Sequence, residues 1–135
     1  MAGSLPTVTG WGFQGYDPFS NKTGQGDFGD LGVGSAVQQK LAIPVLTEEE
    51  CEEKYGAFRV RDSQICAGGE VGKDSCKGDS GGGLLSRSDI SASALRSWYL
   101  MGVVSFGSRT CGNGKPGIYT RVSHYVGWIQ GNLRP

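Results

Sequence analysis

Glycine supplies 24 of the 135 residues, about 18%, against a usual share of about 7%, and no period organises it. Glycine weakens helices and reaches backbone angles that other residues avoid, so a chain this rich in it suits short strands joined by tight turns. An all-β domain follows. Four cysteines, Cys51, Cys66, Cys76 and Cys111, form an even set whose separations suit neither a CxxC pair nor a zinc ribbon, and two disulfides are the better reading. Three pairings remain open. Disulfides imply an oxidising compartment, yet Met1 to Pro6 shows neither the charged start nor the apolar core of a secretory signal. Either the start is missing or the chain is not routed outward by itself.

Charge and hydropathy exclude two partner classes. Thirteen Lys and Arg balance thirteen Asp and Glu, so no long-range positive field attracts nucleic acid. The longest apolar stretch, Trp98 to Phe106, is broken by Gly102 and Ser105 and falls well short of the roughly 20 residues of a spanning helix. The length fits one small domain.

Local patterns give six short strands and two helices, a barrel or sandwich. Thr7-Val8-Thr9 alternates like a strand and runs into Gly10-Trp11-Gly12. Residues 13–35 are glycine-rich and read as a long surface loop; within it Asn21-Lys22-Thr23 is a glycan acceptor sequon, usable if exposed in a secreted protein. Leu41 to Leu46 is expected to be a strand, with Pro44 at an edge or bulge. Thr47-Glu48-Glu49-Glu50 has capping-box spacing and predicts a helix to about Tyr55. The acidic run through Glu53 lacks the spaced ligands and central glycine of a calcium loop, and no metal or other cofactor is expected. Gln64–Ala67, Gly82–Ser86, Trp98–Phe106 and Gly117–Val122 are the remaining strands. Val122, Tyr125, Val126 and Ile129 recur at helical spacing behind Ser123 and predict a short amphipathic terminal helix.

Three glycine-bearing motifs compete for the chemistry. Gly24 to Gly29 has the dinucleotide fingerprint's spacing, but it needs a strand before it and a helix after it. Asp27-Phe28-Gly29 spells a kinase tripeptide without the rest of that signature. Neither has its context. Gly78-x-Ser80-x-Gly82 fits the nucleophile elbow of α/β-hydrolases, and Asp89 and His124 follow in that family's order. An elbow, however, joins a buried strand to a helix, whereas polar Lys73 to Asp79 precede Ser80 and three glycines follow it.

The same segment, Asp74-Ser75-Cys76-Lys77-Gly78-Asp79-Ser80-Gly81-Gly82, strongly resembles the nucleophile motif of trypsin-like serine endopeptidases of the chymotrypsin fold. Four further landmarks stand in that family's order: Thr9-Gly10-Trp11-Gly12, Val104-Ser105-Phe106-Gly107, Lys115-Pro116-Gly117-Ile118-Tyr119 and Tyr125-Val126-Gly127-Trp128-Ile129. The long stretch from Cys66 to Ser80 and the Asn132-Leu133-Arg134-Pro135 ending are similar to arthropod clip-domain proteases. The resemblance implies the second six-stranded antiparallel β-barrel of that fold, with a short C-terminal helix and the first barrel absent, so residues 1–135 would form a partial peptidase domain. It implies Ser80 as nucleophile, the backbone N–H groups of Gly78 and Ser80 as the oxyanion hole, and Asp79 as the partner of a new N-terminal amine after zymogen cleavage. It places Asp74 at the floor of the primary pocket, with Ser75, Ser105, Gly107 and Gly117 beside the substrate. A floor carboxylate with glycine walls selects Arg or Lys. Phe106 stands where Trp is commoner, and Gly83 replaces a usual proline. The disulfides would pair Cys51 with Cys66 and Cys76 with Cys111, contributing roughly 3 and 4 kcal/mol on the chain-entropy account.

The family's mechanism needs a histidine base and an orienting aspartate, and both belong to its first barrel. The one histidine, His124, matches a position beside the terminal helix and is expected to be a surface or packing residue. Without a base, Ser80 is an ordinary alcohol. The sequence therefore reads as the C-terminal half of a secreted endopeptidase whose partners are Arg- or Lys-containing protein substrates, the missing barrel and protein inhibitors. A half chain should also expose the apolar face that packs on that barrel. The rival reading is a non-catalytic, protease-like binding module.

Overall fold

A computed structural model of the chain describes residues 3–12, 35–76, 78–87, 97–108 and 111–134. The sequon at Asn21, the Gly24 to Gly29 spacing, most of the expected surface loop and Asp89 lie outside these residues. In chain order the elements are β1 (Thr7–Gly10), β2 (Gln39–Ala42), α1 (Glu48–Tyr55), β3 (Gln64–Gly68), β4 (Gly83–Arg87), β5 (Trp98–Phe106), β6 (Pro116–Arg121), a 3-10 turn (Val122–Tyr125) and α2 (Val126–Asn132).

The six strands form one antiparallel sheet in the order β2-β1-β4-β5-β6-β3. The apolar run expected to be a strand over Leu41–Leu46 is instead a corner, and the strand begins and ends earlier, at Gln39 and Ala42. The segment stays paired to the chain that leads into β1, since Ile43 N donates to the Pro6 carbonyl at 3.0 Å and Val45 N to the Ser4 carbonyl at 2.9 Å, while Pro44, which has no N–H of its own to give, turns its other edge to β3. The Pro44 carbonyl then accepts from Gly68 N at 2.8 Å, Val45 bridges Ala67, and Leu46 N donates to the Cys66 carbonyl at 2.9 Å. One edge of the sheet is thereby carried across to the other, and the sheet curls into a barrel.

The interior is built from alternate residues of this sheet. Val8, Ile43, Val45, Ile65, Ala67, Leu84, Val104 and Tyr119 form one buried cluster. Each removes apolar surface from water, a gain of about 25 cal/mol per Å². Gly102 is buried where a Cβ would come within 3.2 Å of both Leu84 and Tyr119, so its lack of a side chain makes room for theirs. A second cluster centres on Cys51, Cys66 and Ile118 beneath α1. The Cys51–Cys66 and Cys76–Cys111 disulfides both form. The α1 start has both halves of the capping box: Thr47 Oγ1 accepts from Glu50 N at 3.1 Å, and Glu50 Oε2 accepts from Thr47 N at 2.9 Å.

The C-terminal end departs from its expected form. Ser123 does not cap a helix; the chain makes a 3-10 turn and α2 starts only at Val126, with no side-chain cap. Neither element buries a residue, and Trp128 and Leu133 are 68% and 70% exposed. The apolar stripe is present in sequence but is largely exposed: of Val122, Tyr125, Val126 and Ile129 only Val122 is half-buried. No helix among them is long and apolar enough to cross a membrane.

Candidate active site

The loop from Cys76 to Gly82 is wound tightly by its own backbone. Asp79 N donates to the Cys76 carbonyl at 2.9 Å, and the Asp79 carbonyl accepts from Gly82 N at 2.8 Å. Asp79 then holds the loop against the end of β1: its Oδ1 accepts from Gly12 N at 2.7 Å and its Oδ2 from Cys76 N at 2.9 Å. The carboxylate lies so close over Gly10 and Gly12 that a Cβ at either would collide with it. Gly78 and Gly81 take φ of +93° and +82°, a region L residues rarely enter. These turns leave Ser80 exposed on the outside of the loop.

Gly82 shows how little room the loop has. A Cβ there would lie 2.8 Å from the Asp79 carbonyl oxygen and 3.1 Å from that of Thr9, both backbone. Moving either oxygen would disturb the Gly82 N bond to Asp79 or the pairing of Thr9 with Lys40, and Gly82 is itself fixed by accepting from Val104 N. We expect Gly82→Ala to destabilise the fold by about 1–3 kcal/mol, measured as a lower midpoint in a denaturant titration. An unchanged midpoint would show that the loop yields freely.

Ser80 opens onto a cleft of about 230 Å³ whose walls include Asp74, Ser75, Ser105, Gly107 and Gly117. Three elements build it. Residues before Ser80 carry Asp74 and Ser75; the end of β5 carries Ser105; and β6 carries Gly117. The ladder between β5 and β6 shifts register between Val104 and Phe106, so Ser105 sits at an irregularity that re-aims the strand, a common device beside functional sites. Gly107 and Gly117 face each other closely: a Cβ on Gly107 would stand 3.6 Å from the Gly117 Cα. A Cβ on Gly117 would meet the Tyr119 ring at 3.1 Å and Asp74 Oδ1 at 3.5 Å. Side chains at these positions would fill the cleft. The Cys76–Cys111 bridge, both of whose residues border the cleft, ties the serine loop to the opposite wall.

Asp74 is the only acid among the described residues of the lining. Its Oδ2 accepts from Gly112 N at 3.2 Å, and no cation pairs with it among the described residues. Burial pushes its carboxyl up to about 6, against the opposing pull of the Gly112 and Ser75 N–H groups; the nearby Asp79 charge adds to the rise. Ser75 Oγ and Tyr119 OH share a hydrogen bond of 3.1 Å. Burial, the largest cause, drives the Tyr119 hydroxyl up to about 12, so it stays a neutral donor and acceptor. Tyr55 OH donates to the Pro116 carbonyl behind β6. Burial, then the Asp74 charge, raises its pKa as well.

All the cleft residues singled out from sequence, Asp74, Ser75, Ser80, Ser105, Gly107 and Gly117, therefore meet in one place. Gly78 lies in the same loop, while Asp79 faces the β1 end and does not line the cleft. His124 packs edge-on against Tyr125 in the 3-10 turn and is likewise outside the lining. Sequence reasoning missed Tyr119, although its two-residue spacing from Gly117 on a strand puts both on one face. It also missed the ring series Tyr55, Phe58 and Phe106, each step 5.5 Å between centroids. Nothing in local pattern announces that series. No group of three or more His, Cys, Asp or Glu is placed to hold a metal ion among the described residues.

The family model for trypsin matches residues 2–129. The chain belongs to the trypsin family of serine proteases. It is 47% identical to phenoloxidase-activating factor 1 of Holotrichia diomphalia, over all of this chain and 32% of that protein. Trypsin-1 of Astacus astacus is 46% identical over 82% of the chain and 44% of its own length. The Spaetzle-processing enzyme of Drosophila melanogaster is 43% identical over 75% and 26%. The chain spans between about a quarter and under half of the length of these trypsin-family relatives. Its six antiparallel strands and short terminal helix are the all-β architecture that the sequence resemblance implied.

Proposed function

We propose that residues 1–135 are the C-terminal β-barrel of a secreted trypsin-like endopeptidase that hydrolyses peptide bonds after Arg and Lys. The observation that carries this reading is the shared cleft: an exposed serine hydroxyl and a half-buried carboxylate, without a cationic partner among the described residues, open onto one space between facing glycines. A guanidinium or ammonium entering it would supply a cation that the described residues do not give Asp74. Family membership supports the rest.

In this mechanism a base removes the Ser80 hydroxyl proton as Oγ attacks the scissile carbonyl, and the oxygen gains negative charge. The N–H groups of Gly78 and Ser80 receive that charge; one such donor is typically worth about 3–4 kcal/mol of barrier lowering. The amine departs with the proton, leaving an ester on Ser80 that water hydrolyses in the reverse sequence. His124 is outside the described lining of the cleft, and on this reading the base and the orienting aspartate would be those of the family's first barrel. Asp79 would pair with a new N-terminal amine on activation. The disulfides and the family's partners fit an extracellular enzyme acting on protein substrates and open to protein inhibitors.

The test is a comparison of arginyl and aromatic ester hydrolysis by the activated protein that includes the upstream region. We expect kcat/KM to favour the arginyl ester by at least about 10³-fold, the scale on which a site built for a polar partner rejects its lack. Preference for the aromatic ester would defeat the pocket assignment. No turnover of either by correctly folded, activated protein would favour a binding module instead.

A further inference from the structure

Between α1 and β3 the chain crosses residues 56–63 without regular structure. Phe58 and Val60 are half-buried while Arg59 and Arg61 are exposed, the two-residue alternation of extended backbone. Phe58 and Val60 pack against the Cys51–Cys66–Ile118 cluster, which holds the segment extended with Arg59 turned outward. Among the described residues the backbone of Phe58, Arg59 and Val60 makes no hydrogen bond. Both flanks are fastened. Gly56 N donates to the Glu52 carbonyl at 2.7 Å; beyond, Arg61 N donates to Gln64 Oε1 at 3.0 Å and the Arg61 carbonyl accepts from Gln64 N at 2.9 Å.

An extended segment with free N–H and C=O groups and an outward side chain is what an endopeptidase binds, because substrates lie in its cleft as an added strand. The other described basic residues lack that presentation. Lys40, Lys54, Arg87 and Arg121 are within strands or α1. Lys73 is bridged and ion-paired to Glu70 at 3.1 Å, and Lys115 and Arg134 precede prolines. Arg61 has its own peptide groups tied into the turn with Gln64.

We infer that Arg59–Val60 is a processing site, cut in the folded protein by an endopeptidase selective for basic residues. Hydrolysis adds one water across this bond and leaves a carboxylate on Arg59 and an amine on Val60. The Cys51–Cys66 bridge spans the cut, so the product is a two-chain molecule held together covalently. Phe58, whose ring meets Phe106 beside the cleft, is separated by the cut from its anchor at Val60. The chain acts here as a substrate, so the inference stands apart from any activity of Ser80.

Limited digestion of the native protein with a small amount of an Arg/Lys-specific endopeptidase tests it. The expected result is a new N-terminus beginning Val60-Arg61-Asp62, with the two sides of the cut staying together without reductant and separating with it. Arg59→Gln should abolish that N-terminus while the variant keeps its thermal midpoint. The inference is overturned if the bond survives until denaturant is added, if the cut falls after Arg61 instead, if Arg59→Gln digests identically, or if the two sides part without reductant.

Discussion

Ser80→Ala, made in the activated protein that carries the upstream region, is expected to lower kcat by on the order of 10⁵- to 10⁶-fold, the scale of losing a nucleophile that acts as a unit with its base. What remains would come from binding and from the oxyanion donors, which the substitution leaves in place. Fluorophosphonate labelling should vanish with the hydroxyl. Stability should not change, since Ser80 is exposed and its loop is fixed by Asp79, Gly78 and Gly82 rather than by the serine side chain. That pairing of outcomes separates chemistry from folding. A variant that still labels, or one that loses activity only in proportion to a fall in thermal midpoint, would remove Ser80 from the mechanism.

The parts of the fold that sequence made legible are those governed by local chemistry. Thr47 and Glu50 specify the α1 start because a capping box needs only four residues. Trp98 to Phe106 is a strand as expected, since nine mostly apolar residues, five of them aromatic or β-branched, fill a central position between β4 and β6. Legibility fails where distant chain decides. The corner at Ile43–Val45 depends on Gly68 and Ala67 across the barrel, and the uncapped α2 exposes a stripe whose spacing had promised burial. At the site, the motif around Ser80 was visible because glycine is favoured at Gly78 and Gly82 by close backbone contacts and at Gly78 and Gly81 by positive φ. Tyr55 and Phe58 were not, because they reach Pro116 and Phe106 through tertiary packing alone.

Asp74→Asn is expected to move binding and stability in opposite directions. In the folded protein the carboxyl titrates near about 6 rather than its ordinary 3.8, because burial penalises the charged form. The folded state therefore holds this proton more tightly than the unfolded chain does. Between pH 4 and 6 the native state carries more bound proton, so stability declines as pH rises through that window and levels off above it. The full displacement corresponds to at most about 3 kcal/mol, and water in the open cleft reduces it. An uncharged amide avoids this cost, so the variant should be more stable than the parent by about 1–2 kcal/mol at pH 8, with the gap closing below pH 4. Binding should respond the other way. An arylamidinium probe pairs only with the ionised carboxylate, so its affinity for the parent protein should fall about tenfold for each pH step below about 6. In the variant affinity should be weaker by about 10²- to 10³-fold at pH 8, the cost of removing one partner from a desolvated charge pair, and nearly independent of pH. A carboxylate with a purely structural role would show the reverse: lower stability on substitution and unchanged probe affinity. The charge at position 74 is thus held against the preference of the fold, and a cationic ligand is what would offset it.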